Sequence, residues 1–113
     1  MTTLYHNPRC SKSRQALQIL EEKGETIEVV RYLDNPPTAQ ELKQVLELLG
    51  IKAIDLVRKN EAEWKENYKG KNLSEEEIIN ALIAHPKLIE RPIAINGTHA
   101  VIGRPPEKVL EIL

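Results

Sequence analysis

The stretch Thr2-Thr3-Leu4-Tyr5-His6-Asn7-Pro8-Arg9-Cys10-Ser11-Lys12-Ser13-Arg14 sets a cysteine at the joint between an extended segment and a helix. Thr2 to Tyr5 is β-prone and stops at Asn7-Pro8, a turn signal. From Ser11 the chain reads as a helix, with Ala16, Leu17 and Leu20 on one face and Gly24 as its stop. Thr26 to Val30, rich in β-branched residues, reads as a second strand. A strand, a helix and a strand in this order require a parallel pair, because only a crossover can bring the second strand alongside in the same direction.

Beyond the second strand, Asn35-Pro36-Pro37 breaks the chain. Thr38 with Glu41 three residues on forms a capping box, in which each side chain satisfies an orphan backbone donor. Leu42, Val45, Leu46 and Leu49 follow at helical spacing and Gly50 closes the helix. Residues 51–73 are less regular: Ile54 to Val57 reads as a helical turn leading to Arg58, Glu61 to Tyr68 as a short helix, and Lys69 to Asn72 as an exposed loop. Ser74 with Glu77 is a second capping box before Ile78, Ile79, Leu82 and Ile83, and His85-Pro86 ends that helix. Ile93 to Ile95 and Thr98 to Ile102 read as a hairpin around Asn96-Gly97, with both turn residues expected at positive φ. Pro106 suits the first position of a last helix, Glu107 to Leu113. The expectation is a single α/β domain over residues 1–113, with a mixed four-stranded sheet, flanking helices and a helical insertion between strands 2 and 3.

Composition narrows the function. With 113 residues the chain suits one domain and needs no staple to fold. One cysteine forbids an internal disulfide, and with His6, His85 and His99 scattered it cannot build a cysteine-rich zinc site. A formal net charge of −1 removes the electrostatic case for a dedicated nucleic-acid binder. No apolar run suits a bilayer span and residues 1–30 lack a signal-peptide pattern, so a cytoplasmic location is expected. His85 and His99 carry no functional signal, and Trp64 with Tyr68 reads as a core anchor.

Cys10 is the informative residue. At a helix start it meets unpaired backbone N–H groups and the positive end of the helix dipole, both of which favour thiolate, the nucleophilic form. Arg9, Lys12 and Arg14 add positive charge, and a protonated His6 would add more. Lone cysteines usually sit inertly in cores, but polar flanks, Arg9 and Ser11, argue for reactivity here. A Cys-x5-Arg phosphatase loop is absent, because its arginine position holds Ala16. A Cys-x-x-Cys redox pair is absent too, because its second position holds Ser13. The site is therefore monothiol, and any second thiol must come from another molecule. Arg58, Arg91 and Arg104 each follow an apolar stretch and could grip an oxyanion bidentately, although singly each reads more readily as a surface ion-pair partner.

Taken together, these segments resemble the thioredoxin-fold arsenate reductases that work with glutathione and glutaredoxin. The Tyr-His-Asn-Pro-x-Cys-x-x-Ser-Arg opening matches residues 5–14, and Tyr-Leu-x-x-Pro-Pro matches Tyr32 to Pro37. Further matches fall at Leu56 to Lys59, Leu88 to Ile93 and Arg104 to Glu107, in the family's order. The resemblance implies that Cys10 attacks arsenate, that Arg58, Arg91 and Arg104 surround the oxyanion with Arg14 also binding it, and that His6 helps ionise the thiol. It implies that Ser13 hydrogen-bonds the thiol and that Pro92 is a cis proline beside it. It also implies that no cofactor or metal is bound, that glutathione is the co-substrate and glutaredoxin the partner, and that the protein acts as a monomer. Ser11-Lys12 departs from the Gly-Thr usual in the arsenic-resistance enzymes and marks a Ser-Lys subgroup. Two other readings stand beside it: a regulatory binding module like the Spx-type regulators that share this fold, disfavoured by Ser13 in place of a switch cysteine, and a glutathione-dependent monothiol reductase of protein mixed disulfides, which gives no reason for three arginines.

Overall fold

The computed structural model describes residues 1–113, and the chain divides into two compact units, residues 1–35 with 91–113, and residues 36–90. In the first unit, β1 (Thr2–Tyr5), α1 (Ser11–Glu22) and β2 (Ile27–Val30) are followed after the insertion by β3 (Ile93–Asn96), β4 (His99–Ile102) and a closing 3-10 helix, Pro106–Ile112. The strands lie in the order β2-β1-β3-β4. β1 pairs parallel with β2, with Leu4 opposite Val29, and antiparallel with β3, with Leu4 opposite Ala94. β3 and β4 pair antiparallel, with Ile93 opposite Ile102. The sheet is thus mixed and four-stranded, as the sequence implies.

Alternation along β1 sends Leu4 into a core with Ala94, Ala16 and Leu20 of α1, and Val109 and Ile112 of the closing helix. Leu4, Leu20 and Val109 are fully buried. Each such aliphatic side chain stabilises the unit by roughly 1.5–3 kcal/mol relative to exposure, so the α1–sheet packing fixes where α1 begins. That start carries Cys10. On the other side of the turn, Tyr5 stacks on Tyr32 with ring centroids 6.4 Å apart.

The second unit holds α2 (Ala39–Leu49), a 3-10 turn at Ala53–Leu56, α3 (Ala62–Asn67), α4 (Glu75–Ala84) and a 3-10 turn at Pro86–Leu88. Both capping boxes form. Glu41 N donates to Thr38 Oγ1 at 3.1 Å while Thr38 N donates to Glu41 Oε1 at 3.0 Å. Ser74 and Glu77 exchange the same pair of bonds at 3.2 and 3.0 Å. These bonds hold the Glu41 and Glu77 carboxyls below the usual carboxylate range, through the Thr38 and Ser74 donors respectively. Leu42, Val45 and Leu46 of α2 and Ile78, Ile79 and Leu82 of α4 are buried. Val57 bridges Ile89, and the backbone pairs Arg58 N to Leu88 O at 2.7 Å and Glu90 N to Leu56 O at 2.8 Å flank that bridge.

Two expectations change. The hairpin does not turn on Asn96-Gly97: Asn96 remains in β3 opposite His99, leaving Gly97 and Thr98 as the loop. Only Gly97 takes a positive φ, 62°, so one left-handed residue rather than two makes the turn. Freed from the turn, Asn96 donates through Nδ2 to the Ile112 carbonyl at 2.8 Å and ties down the last helix. That last helix, with Pro106 first, is a 3-10 rather than an α-helix. No helix is long and apolar enough to cross a membrane.

Candidate active site

Cys10 is the residue that caps α1, with extended backbone at φ −92° and ψ 122°. The preceding turn is built by Asn7. Its carbonyl accepts from Cys10 N at 3.0 Å, its Oδ1 accepts from Arg9 N at 3.0 Å, and its own N–H donates to Ser13 Oγ at 3.0 Å. In the sequence Asn7 reads only as a turn residue, although Asn side chains commonly bond the backbone two residues on, as here.

The thiol is 8% exposed. Burial pushes its pKa up. The backbone N–H of Ser13, the charge of Arg91, the backbone N–H of Lys12 and a hydrogen bond from the Arg91 guanidinium together outweigh burial and hold it below its ordinary value. Each of these stabilises negative charge on sulfur and shifts the balance from thiol toward thiolate. Arg104 lies on the same side, with Nη2 3.6 Å from Sγ and Nε donating to the Arg91 carbonyl at 2.8 Å. Two contacts of one guanidinium therefore tie Arg104 to the Arg91 backbone and to the sulfur. The peptides Arg91–Pro92 and Arg104–Pro105 are both cis, Pro92 as the resemblance implies and Pro105 in addition.

His6 and Ser13, the other residues expected to act on the thiol, face each other. His6 Nδ1 lies 2.6 Å from Ser13 Oγ, and both residues are buried. Burial, Arg31 and Arg14 all lower the His6 pKa, so the imidazole is neutral at neutral pH and adds no positive charge to the thiol. The Ser13 hydroxyl already accepts from Asn7 N and faces His6, so Ser13 supports the sulfur through its backbone N–H. Arg14 Nη1 donates to the Pro8 carbonyl at 2.9 Å and braces the loop.

Arg58 belongs to the second unit. There it pairs with Glu61 at 2.6 Å and with Glu90 at 3.9 Å. His85 also sits in that unit, 3.4 Å from Glu63 and edge-on to Tyr68. No group of three or more His, Cys, Asp or Glu side chains is arranged to hold a metal ion.

A buried, positively surrounded thiolate at a helix start can attack an electrophilic centre bearing negatively charged oxygens, with arginine donors to receive those oxygens. The sequence profile of the ArsC family matches residues 5–112. The chain is 50% identical over 112 residues to the uncharacterized protein YfgD of Escherichia coli (strain K12), covering 97% of this chain and 94% of that protein. It is 45% identical over 112 residues to an arsenate reductase of Haemophilus influenzae, covering 97% of each. Among solved structures, an arsenate reductase from Vibrio cholerae superposes with a TM-score of 0.95 at 44% identity, over 99% of this chain and 97% of that one.

Proposed function

We propose that this chain, which belongs to the ArsC family, reduces arsenate to arsenite with Cys10 as nucleophile. The observation that carries this reading is the thiol itself, held below its ordinary pKa by backbone donors and Arg91, with Arg104 Nη2 3.6 Å away. Resemblance to proteins described as arsenate reductases supports the substrate.

In this reading the Cys10 thiolate attacks arsenic(V), forming an S–As bond while one arsenate oxygen leaves, protonated, as water. Arg91 and Arg104 hold the remaining oxygens and carry the charge that builds in the transition state. A glutathione thiolate then attacks the arsenylated cysteine. The two sulfurs end as a Cys10–glutathione disulfide, and the two electrons they give up convert arsenic(V) to arsenic(III), which departs as arsenite. Glutaredoxin, by thiol–disulfide exchange, takes the glutathionyl group and restores the Cys10 thiolate. The lone cysteine supports an external electron donor, because the chain has no second thiol of its own. The protein works as a cytoplasmic monomer, in a compartment that keeps such a thiol reduced.

Arg58 is assigned to the oxyanion set by its motif. Lys12, where related enzymes of arsenic resistance carry Thr, supports the thiolate through its backbone N–H, a donor that every residue except proline supplies. The substitution therefore leaves the nucleophile's activation intact.

The deciding experiment is arsenate-dependent oxidation of glutathione in the presence of glutaredoxin, with the unmodified protein and with Cys10→Ser. Turnover that disappears with the cysteine supports the proposal, and absence of turnover in the unmodified protein would overturn it.

A further inference from the structure

We propose that Gly103 is a positioning residue for the oxyanion site, its missing side chain making the space in which the Pro92 ring sits. The inference rests on the reading of Arg91 and Arg104 as the groups that receive the substrate's oxygens.

The β3–β4 ladder continues one step beyond its last strand pair. Ile93 faces Ile102, and at the next position Gly103 N donates to the Pro92 carbonyl at 2.8 Å. Proline offers no N–H in return, so this single bond and side-chain packing set the spacing of the two segments there. A Cβ built on Gly103 would lie 2.8 Å from Pro92 Cγ and 3.2 Å from Val109 Cγ1. The first distance is well inside carbon–carbon contact, where attraction has turned to repulsion. Room cannot be made cheaply on either side, because Pro92 and Val109 are themselves buried.

The neighbours of this contact make it matter for chemistry. Pro92 follows Arg91, whose guanidinium hydrogen-bonds the thiol, and Gly103 precedes Arg104, whose Nη2 lies 3.6 Å from the same sulfur. The Arg104 Nε bond to the Arg91 carbonyl, at 2.8 Å, closes the arrangement. Spreading the two segments by even a few tenths of an ångström therefore moves both arginines relative to Cys10. Gly103 has no positive φ, so its need for a missing side chain comes from this approach and not from backbone conformation.

The test compares Gly103→Ala with Val109→Ala, a substitution that loosens the core behind Gly103 without touching Pro92. Three quantities are read for each: the pH profile of Cys10 alkylation by iodoacetamide, kcat and KM for arsenate, and thermal stability. Cys10 is the only cysteine, so alkylation reports on it alone. Gly103→Ala is expected to move the alkylation profile to higher pH, slowing the reaction at neutral pH on the order of threefold or more, because less of the thiol is ionised. KM for arsenate is expected to rise in the same variant. Val109→Ala should lower thermal stability and leave the alkylation profile in place. In a Pro92→Ala background, which lacks the ring atom in the way, adding Gly103→Ala should shift the profile no further.

An alkylation profile of Gly103→Ala that superposes on the unmodified protein's would overturn the proposal. So would an equal shift in Val109→Ala, or a Gly103→Ala chain that does not fold, since each would make the role of Gly103 one of general packing. Absence of arsenate turnover in the unmodified protein, with the alkylation shift still present, would instead remove the proposed substrate while keeping Gly103's effect on the thiol.

Discussion

Arg104 holds its Nη2 atom 3.6 Å from Cys10 Sγ although the two residues stand 94 positions apart. Its Nε is at the same time bound to the Arg91 carbonyl at 2.8 Å. The cysteine loop and the segment after β4 therefore meet at the sulfur, and the chemistry of the thiol depends on residues from both ends of the chain.

Arg91 and Arg104 should differ in their effect on the nucleophile. Arg91 lowers the Cys10 pKa by its charge and by a hydrogen bond. Arg91→Ala is therefore expected to move the alkylation profile to higher pH, further than Arg104→Ala does. Removing a donor that meets transition-state charge typically costs about a hundredfold or more in kcat, and either variant should lose arsenate turnover on that scale while remaining folded. Steady-state kinetics with circular dichroism checks both parts; turnover unchanged in Arg91→Ala would remove it from the oxyanion site.

Arg58 is a separate case, because its described partners are Glu61 and Glu90 within its own unit. If it serves the oxyanion, Arg58→Ala lowers arsenate kcat/KM about tenfold or more. Kinetics equal to those of the unmodified protein would leave Arg58 a local ion-pair partner only.

Ser13→Ala should separate stability from thiol activation. The buried hydroxyl serves both His6 Nδ1, at 2.6 Å, and Asn7 N, at 3.0 Å, and its loss strips both of that partner. Leaving buried polar groups unsatisfied costs about 1–3 kcal/mol, measurable by denaturant unfolding. The alkylation profile should hardly move, since the backbone N–H that supports the sulfur remains. A large upward shift would assign the hydroxyl, rather than the backbone, to the thiolate.

His6 predicts a loss of stability on acidification. Burial first, then Arg31 and Arg14, lower its folded pKa below 6.5. The folded state thus prefers the neutral imidazole, and the unfolded chain takes up the proton first as pH falls. The contribution is fully present above 6.5 and is lost as pH drops from there through the folded value. Thermal midpoints followed from about pH 7.5 to about pH 5 should fall more steeply for the unmodified protein than for His6→Gln, which does not titrate. Parallel curves would show that His6 keeps its ordinary affinity for protons.

Much of the architecture can be read from neighbouring residues, because it depends on interactions within a few positions. The Thr38–Glu41 and Ser74–Glu77 boxes form as their spacing implies, and β1, α1 and β2 follow from apolar periodicity with a turn at Asn7-Pro8. The hairpin shows where local patterns stop. Asn96-Gly97 is a strong turn signal, yet Asn96 stays in β3 opposite His99 and its amide bonds the distant Ile112 carbonyl.

The candidate site divides in the same way. From the residues alone it follows that there is one thiol, that it opens a helix beside cationic residues, and that any disulfide must be made with another molecule. Long-range packing alone brings the Arg91 guanidinium to the sulfur, beside the backbone N–H groups of Ser13 and Lys12, sets Arg104 Nη2 3.6 Å from the same atom, and lowers the His6 pKa by burial and two arginines. The division follows from the forces involved. Helix starts and caps are set by bonds between near neighbours, whereas donor direction and pKa depend on burial and on charges that distant strands bring within a few ångströms. Gly103 belongs wholly to the second kind: nothing beside it in the chain requires a glycine, and the Pro92 ring across the ladder does.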